Sequence, residues 1–226
     1  MPATASSTES TVRRDSRSRR ISQESRATVA GMVLVITPAA IALANAVEDA
    51  LFALYSGLST SIGNTGVDLD AEDIRTARKT LNDANVPLAN RHMVISSKDE
   101  ISLLADTDLK DYFANSRPEA IAEGSMGRVY GFTLWMSQRV PVVTGPPDST
   151  KNLAFTPEAF ILATRPFRDI PAGSGVQTST IRDAESGLVI RVIYSYDVSY
   201  RGMRIGFDIL YGVKELRDAC GILVLS

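Results

Sequence analysis

One long amphipathic helix constrains the fold more than any other feature of this sequence. Pro38 suits the first turn of a helix, and apolar residues then recur at helical spacing as one continuous stripe. The stripe consists of Leu43, Val47, Leu51, Leu54 and Leu58, with Glu48 and Asp49 beside it. The pattern predicts a helix that ends near Gly57 or in the turn at residues 63–66. A long helix with a single stripe normally packs along a sheet or another helix.

Residues 1–31 are predicted to form a flexible arm. Residues 2–28 are rich in Ser, Thr and Arg and almost free of large apolar side chains. Such a stretch buries too little surface to offset its ordering entropy. Six arginines could contact nucleic-acid phosphates, although a solvated tail explains them equally well, and the arm has no aromatic residue for base stacking. These are Arg13, Arg14, Arg17, Arg19, Arg20 and Arg26.

The apolar run at Val29–Ala46 permits an alternative, an exported or membrane-anchored binding protein. The arginines before it and Ala44-Asn-Ala46 within it imitate a signal peptide with a small-residue cleavage site. The imitation is imperfect, because the basic region is overlong and Pro38 interrupts the run. We therefore favour a strand or short arm at Met32–Ile36, followed by the helix, and expect no membrane association.

The next segment alternates helices with a strand, which is typical of a mixed α/β lobe. Asp70 and Asp73 have the spacing of a capping box at a helix start. A strand at 92–96 follows, then a third helix with Ser97 as N-cap and Glu100 three residues later. A fourth short helix starts after Asp106 or Thr107. The predicted apolar faces comprise Ile74, Ala77, Leu81, Leu109, Tyr112 and Phe113.

From Gly124 onward the pattern changes to β-structure. Residues 128–136 are apolar on both faces, so this strand, with Trp135, is predicted to be buried. Further strands are predicted at 152–155, 176–181, 188–196 and 203–211, and Thr156-Pro157 predicts a helix start. Arg191 makes the strand at 188–196 at least half exposed. The apolar stretch at 220–225 predicts a terminal strand that is tied into a sheet.

Composition and cysteine count exclude several function classes. A net charge of −2 with 44% hydrophobic residues fits a globular protein, whereas a free-standing nucleic-acid binder is usually strongly basic. The single cysteine, Cys220, allows no intrachain disulfide. With one histidine, His92, it cannot make a Cys/His zinc site within one chain. A small hydrolase would have to use His92, and this is a second alternative.

Two motifs superficially suggest ligand binding. Gly124–Gly131 is rich in glycine, but it lacks the Gly-Lys-Ser/Thr that enters a helix in a phosphate-binding loop. The acids Asp68, Asp70, Glu72 and Asp73 lack the spacing of a calcium-binding loop, and capping of a helix start explains them better. We therefore assign no catalytic, cofactor-binding or metal-binding residue, and we expect no cofactor.

Five stretches follow one another in the order and spacing of a known family. They are Ala50–Gly57 with Ser61–Gly63, Leu81–Pro87 with Arg91–Ser96, Glu123–Phe132 with Val140-Pro141, Phe155 with Ala163–Pro166, and Tyr194–Asp197 with Ile209–Arg217. Over roughly residues 40–226, this series resembles the major capsid (coat) proteins of tailed bacteriophages, which have the Hong Kong ninety-seven-type (Johnson) fold.

The resemblance implies an α+β, phage capsid-type fold with a long spine helix, a mixed α/β axial domain and a peripheral domain of long antiparallel strands. It implies that residues 32–66 contain the spine helix and the start of the peripheral domain, after the arm at 1–31. Residues 67–165 would form mainly the axial domain, residues 166–211 the peripheral strands, and residues 212–226 the return to the axial domain.

The implied function is structural: a capsid subunit that self-assembles in the host cytoplasm into the virion shell around phage double-stranded DNA. The implied partners are further copies of the chain in hexamers and pentamers, scaffolding and portal proteins, and packaged DNA in non-specific contact. Family members usually carry an N-terminal arm and an extended hairpin before the spine helix, and the first 40 or so residues show no hairpin pattern. A truncated prophage remnant that does not assemble, a misplaced start and a variant without the hairpin all fit this departure.

Overall fold

The computed structural model describes residues 37–110, 126–168, 170–171, 174–184, 187–199 and 201–226. The chain divides into two compact units, residues 1–44 and residues 45–226. The described part of the first unit, residues 37–44, is helical, and the second unit begins with the helical residues 45–52; we label residues 37–52 α1. It ends in a 3-10 turn at Ala53–Gly57, so the predicted end near Gly57 is confirmed. The predictions for residues 1–36 and for Tyr112, Phe113 and Gly124 lie outside the described residues.

A seven-stranded mixed sheet dominates the second unit. Its strands are β1 (Ser61–Gly63), β2 (Arg91–Ile95), β3 (Arg128–Val129), β4 (Phe132–Met136), β5 (Val142–Val143), β6 (Ser149–Phe155) and β12 (Gly221–Leu225). The main path runs β1-β12-β6-β2-β4-β3, and β5 pairs with β6 beside that path. The pairs β1–β12 and β2–β4 are parallel, and the others are antiparallel.

Strand β12 confirms the prediction that the apolar stretch at 220–225 is tied into a sheet. Its residue Leu223 is in register with Ser61 of β1 on one side and with Leu153 of β6 on the other. The β1–β12 contact is close at Gly63, where a Cβ atom would lie 2.3 Å from the backbone oxygen of Leu225. Glycine is therefore required at this position, which also has a φ of +78°.

Two helices cover one face of the large sheet. Helix α2 (Ala71–Asp83) packs against β1 and β12, and α3 (Ser97–Ala105) follows β2 directly. The predicted face of α2 is confirmed, since Ile74, Ala77 and Leu81 are fully buried. The capping box of Asp70 and Asp73 is also confirmed. The start of the fourth predicted helix is present, because residues 107–110 are helical after Asp106.

The opposite face of the sheet carries a second, smaller core. Leu153 of β6 packs there with Phe52 and Val140, whereas its neighbour Ala154 belongs to the main core. In the same way Val94 of β2 faces the smaller core while Met93 and Ile95 face the larger one. This is the alternation expected of a strand with apolar cover on both sides. The sheet thus lies between α2 on one side and the end of α1 on the other.

A buried polar network ties α3 to β6 and β12. The Oδ2 atom of Asp99 accepts hydrogen bonds from the Ser96 hydroxyl at 2.7 Å, the Asn152 amide at 2.7 Å and the Ser226 hydroxyl at 3.0 Å. All four residues are buried. The network explains one wrong prediction: the N-cap of α3 is Ser96 rather than Ser97, because the backbone N–H of Asp99 donates to the Ser96 hydroxyl oxygen.

Two other local predictions were wrong. The strand predicted at 128–136 is a tight hairpin, in which β3 and β4 flank a two-residue turn. Tyr130 and Gly131 have φ values of +45° and +90°, as a primed hairpin turn requires. The helix predicted to start at Thr156-Pro157 is only a turn, after which the chain enters β7 (Phe160–Thr164).

The remaining strands form two small antiparallel sheets. A three-stranded sheet has the order β10-β9-β8, with β8 at Val176–Arg182, β9 at Val189–Asp197 and β10 at Gly202–Ile209. The single strand predicted at 203–211 is divided, because Leu210 separates β10 from β11 (Tyr211–Glu215), which pairs with β7. Apart from that break, the long strands occur where the alternation predicted them.

The three-stranded sheet has one apolar and one polar face. Cross-strand partners on the apolar face include Tyr196 with Met203 and Tyr194 with Ile205. On the polar face Arg191 donates to Asp208 at 2.6 Å, and its guanidinium lies 4.3 Å from the ring centroid of Phe167. The prediction that Arg191 makes this strand at least half exposed was wrong: its side chain is only 14% exposed because Asp208 and Phe167 cover it, and Tyr196 is the one exposed residue of β9.

Candidate functional site

His92 lies on the face of the large sheet that carries the smaller core. Its Nδ1 atom accepts a hydrogen bond from the indole N–H of Trp135 at 3.3 Å, and its ring centroid lies 6.1 Å from that of Phe155. An indole N–H is a donor only, so it cannot serve as the nucleophile of a hydrolase. The geometry gives the hydrolase alternative no support.

The acidic cluster at the start of α2 is engaged in structural contacts. Asp70 accepts a hydrogen bond from the backbone N–H of Asp73 at 2.9 Å, and Asp68 pairs with Lys98 at 2.9 Å. Burial raises the pKa of Asp73, and the contact with Asp68 raises the pKa of Lys98. Within the described ranges no group of three or more Asp, Glu, His or Cys side chains could hold a metal ion.

Arg91 is a buried charged residue whose role the sequence did not indicate. Its side chain is almost fully buried and donates to the backbone oxygens of Pro87 at 2.9 Å and Val86 at 2.6 Å. Burial lowers the pKa of this arginine. Because its recorded partners are carbonyl oxygens, Arg91 holds the loop after α2 in place and presents no free guanidinium to a ligand.

An apolar groove lies beside Trp135, and we call it the Trp135 groove. It has a volume of about 430 Å³ and runs between the end of α1 and strands β2, β4, β6 and β7. Phe52, Val94, Leu153 and Phe155 form much of its wall. This volume lies within the ~300–1,000 Å³ typical of protein ligand sites, so it can accommodate a few large side chains.

The outer wall of the groove corrects the prediction that the strand at 128–136 is buried on both faces. Phe132 and Leu134 are buried, but Trp135 is 57% exposed and Met136 is 44% exposed. Both line the groove. The apolar pattern of β4 therefore reflects one face in the core and one face at the surface.

One end of the Trp135 groove is polar. Glu48 accepts a hydrogen bond from the Ser137 hydroxyl, and the neighbouring Asp49 pairs with Arg139. Glu48 is the one charged residue among the described residues that line the groove. Arg139 interacts electrostatically with Glu48 as well as with Asp49, so two acids share one cation at this end of the groove.

The tip of the β9–β10 hairpin is the most exposed apolar feature of the small sheets. Tyr196, Val198 and Met203 are 59%, 79% and 69% exposed. The tip also carries the exposed arginines Arg201 and Arg204, together with Asp197, which accepts the backbone N–H of Ser199 at 2.9 Å. We call these residues the hairpin tip. It combines exposed apolar side chains with a net positive charge, and four of its residues, Asp197, Gly202, Met203 and Arg204, line a hollow of about 440 Å³.

The helical segment Thr37–Gly57 overlaps the signal-like run of the sequence. By length and composition alone it could cross a membrane. Core helices of soluble proteins and signal sequences meet the same criterion, so this property does not decide between the alternatives.

Comparisons with known proteins address the fold. No family model matches the sequence, and no curated protein matches it. Among solved structures, one described as Mycobacterium phage Che8 aligns with a TM-score of 0.57 and 20% identity over 85% of this chain. The chain spans 62% of the length of that phage chain.

Two further solved structures are described as phage capsids. The capsid structure of the cyanophage P-SCSP1u aligns with a TM-score of 0.48 and 17% identity, and covers 81% of this chain and 62% of its own. The capsid of Ralstonia phage GP4 gives a TM-score of 0.42 and 17% identity, covering 74% of this chain and 49% of its own.

The predicted resemblance is confirmed at the level of the fold, which this chain shares with the solved structure from Mycobacterium phage Che8. The described chain is a mixed α/β structure with several sheets and few helices, as in phage capsid-type folds. At this level of sequence identity the likeness defines the fold alone.

Proposed function

We propose that this protein is a structural virion protein, a major capsid subunit that self-assembles into the shell enclosing phage double-stranded DNA. The observation that carries the proposal is the structural match to the chain of phage Che8 over 85% of this sequence. The five sequence stretches that resemble tailed-phage coat proteins support it independently of the structure.

The surface of the second unit supports an assembling role. The Trp135 groove and the hairpin tip both leave large apolar side chains in solvent. Monomeric soluble proteins rarely expose large contiguous apolar patches, so exposed apolar surface of this kind usually marks an interaction site. By contrast, the residues considered for catalysis are engaged in the structural contacts described above.

The domain assignment follows from the same proposal. We assign Thr37–Gly57 to the spine helix, the seven-stranded sheet with α2 and α3 to the axial domain, and the three-stranded sheet to the peripheral domain. In this assignment β12 is the return of the chain to the axial domain. The chain would meet its neighbours around the centres of hexamers and pentamers through the axial domain.

The proposed partners follow from the location of the shell. Further copies of this chain would supply the lateral contacts, and scaffolding and portal proteins would act during assembly in the bacterial cytoplasm. The arginines of Arg13–Arg26 would contact the phosphates of the packaged DNA, without sequence-specific contacts to its bases. Many modest interfaces, each weak alone, would sum to a stable shell.

Mass photometry and negative-stain electron microscopy of the purified protein over a concentration series test the proposal. We expect populations at multiples of the 24.4 kDa chain, with rings or closed shells at the upper end of the series. Association should follow mass action, so dilution should return the subunits to small species. A strictly monomeric population at every concentration would contradict an assembling subunit and favour a capsid remnant.

A further inference from the structure

The sequence contains one histidine and one tryptophan, and the structure brings them into contact. The indole N–H of Trp135 donates a hydrogen bond to Nδ1 of His92 at 3.3 Å. Within the described residues, this indole is the one hydrogen-bond partner of the His92 ring. The contact therefore joins the one imidazole of the chain to its one indole.

Strand pairing positions the two side chains at the wall of the Trp135 groove. In the parallel pair β2–β4, His92 is in register with Thr133 and Val94 with Trp135. Residues two apart on a strand point to the same face, so Trp135 lies diagonally across from His92. On β6, the ring centroid of Phe155 lies 6.1 Å from that of His92. Trp135 and Phe155 both line the groove, so the contact borders it.

The hydrogen bond requires a neutral imidazole. An indole N–H can only donate, and a histidine ring nitrogen accepts only while it carries no proton. Once His92 is protonated, both of its ring nitrogens are donors, so Nδ1 can no longer accept from the indole. An imidazolium can attract the face of an indole ring, but that contact requires the ring to turn. The observed orientation of Trp135 is therefore specific to neutral His92.

Little packing holds the indole in this orientation. Trp135 is 57% exposed, whereas Phe132 and Leu134 of the same strand are buried in the main core. Exposed side chains change rotamer readily. Loss of one hydrogen bond can therefore reorient Trp135 without disturbing the core on the opposite face of β4.

Other charged and titratable groups on the elements around this face are occupied elsewhere or uncharged. They are Arg128 of β3, Glu48 and Asp49 of α1, Tyr55 of the 3-10 turn, Lys151 of β6 and Glu158 in the turn after β6. Each charged group has another partner, and within the described residues none of them bonds to the His92 ring. Among these residue types and histidine, only histidine ordinarily changes its charge between about pH 5 and 8.

We infer that His92 and Trp135 form a pH-sensitive switch at the wall of the Trp135 groove. While His92 is neutral, its Nδ1 atom holds the indole in the observed orientation, and protonation of His92 releases the indole. The contact is present at higher pH and is lost as the pH falls through the range of about 5–8 in which imidazoles usually titrate. The inference goes beyond the proposed function, because it concerns the single chain whether or not the chain assembles.

Tryptophan fluorescence of the full chain measures the switch directly, because Trp135 is the one tryptophan in the sequence. Emission and acrylamide quenching are recorded between about pH 5 and 8, at the lowest concentration of the series described above. We expect a single transition, in which quenching rises as the pH falls. The rise should be at most about twofold, because Trp135 is already 57% exposed.

Two variants remove the titrating group and a third serves as the matched control. His92→Asn and His92→Gln place an amide at this position, and an amide does not titrate, so the transition should be absent in both. Thr133→Val changes the residue in register with His92 and leaves the imidazole and the indole in place. We expect the transition to be unchanged in Thr133→Val.

The ring nitrogen chemical shifts of His92, measured by NMR, provide a second readout. In the neutral ring the proton should lie on Nε2, because Nδ1 is the acceptor, and Trp135→Phe should weaken that preference. A neutral ring with its proton on Nδ1 would contradict the hydrogen bond and the inference with it.

The fluorescence results can also overturn the inference. A transition that persists in both His92 variants would assign the pH dependence to another group. Unchanged emission and quenching over the range in which the His92 signals titrate would show that protonation leaves the indole in place. Neither result bears on the proposed function, which is tested by the size of the particles.

Discussion

Ser59 and Asp218 show how single side chains join distant parts of this chain. They lie 159 positions apart, and the Asp218 carboxylate accepts hydrogen bonds from both the hydroxyl and the backbone N–H of Ser59. These donors favour the ionised form and hold the pKa of Asp218 below its ordinary value of 3.8. Because the pKa is lowered by folding, the contribution of Asp218 to stability is present above its ordinary pKa. That contribution is lost as the pH falls through the folded-state value.

We predict that Ser59→Ala raises the pKa of Asp218 toward 3.8 without reaching it. The substitution removes the hydroxyl, which is the larger cause of the shift, and keeps the backbone N–H, which donates at 2.8 Å. The pKa is measured by NMR titration of the Asp218 carboxyl carbon. Ser56→Ala is the control, because the Ser56 hydroxyl donates to the backbone oxygen of Ala53. An unchanged pKa in Ser59→Ala would show that the hydroxyl contact is absent in solution.

Gly63 is a second residue at which local geometry has a measurable effect. Gly63→Ala and Gly175→Ala both place an alanine at a positive φ, +78° and +71°, and such strain costs about 1–3 kcal/mol. At position 63 the new Cβ would also clash with the backbone oxygen of Leu225. At position 175 no atom lies within 4 Å of the new Cβ. We expect Gly63→Ala to lower the free energy of unfolding in urea by at least about 1 kcal/mol more than Gly175→Ala. Equal losses would mean that β1 does not approach β12 this closely.

At the scale of elements, strand β4 separates what periodicity can predict from what it cannot. Its apolar residues alternate on two faces, and the sequence therefore predicted burial on both. In the structure one face meets the main core and the other lines the Trp135 groove. An apolar strand face that is exposed has the same residue pattern as one that is buried in the core. The alternation of a single strand therefore cannot distinguish the two.

The two faces of β4 should differ sharply in their effect on stability. Phe132→Ala empties a fully buried site and should cost about 3–5 kcal/mol, whereas Trp135→Ala truncates a largely exposed side chain and should cost less than about 1 kcal/mol. Urea unfolding of both variants, with unchanged dependence on urea, provides the measurement. A loss for Trp135→Ala as large as that for Phe132→Ala would place Trp135 in the core after all.

Local sequence signals predicted many elements, and they failed where the structure depends on residues that are distant in the sequence. The capping box at Asp70, the end of the first long helix and the long strands of the three-stranded sheet follow from spacing within a few residues. Strand β1 was missed because only three residues pair there, and their partner β12 lies at the other end of the sequence. Ser96 replaced Ser97 as the N-cap because Asn152 and Ser226 hold the same network from β6 and from beyond β12.

At the scale of the whole molecule, the sequence resemblance predicted the class of fold, and the structure supplied the surfaces. The Trp135 groove draws its walls from α1, β2, β4, β6 and β7, five elements that no local pattern brings together. The hairpin tip could be located from the turn near residues 199–202, but its exposure could not. Assignments of assembly surfaces in such proteins therefore depend on tertiary structure even when the fold class is evident from sequence.

The position of β12 has a consequence for the timing of folding. This strand follows every other described strand in the chain, yet it lies between β1 and β6 in the large sheet. During synthesis, β1 must remain unpaired until residues 221–225 leave the ribosome. Pairing across so long a stretch of chain is slow compared with hairpin formation. A nascent chain therefore presents its three-stranded sheet and its hairpin tip before its large sheet is complete.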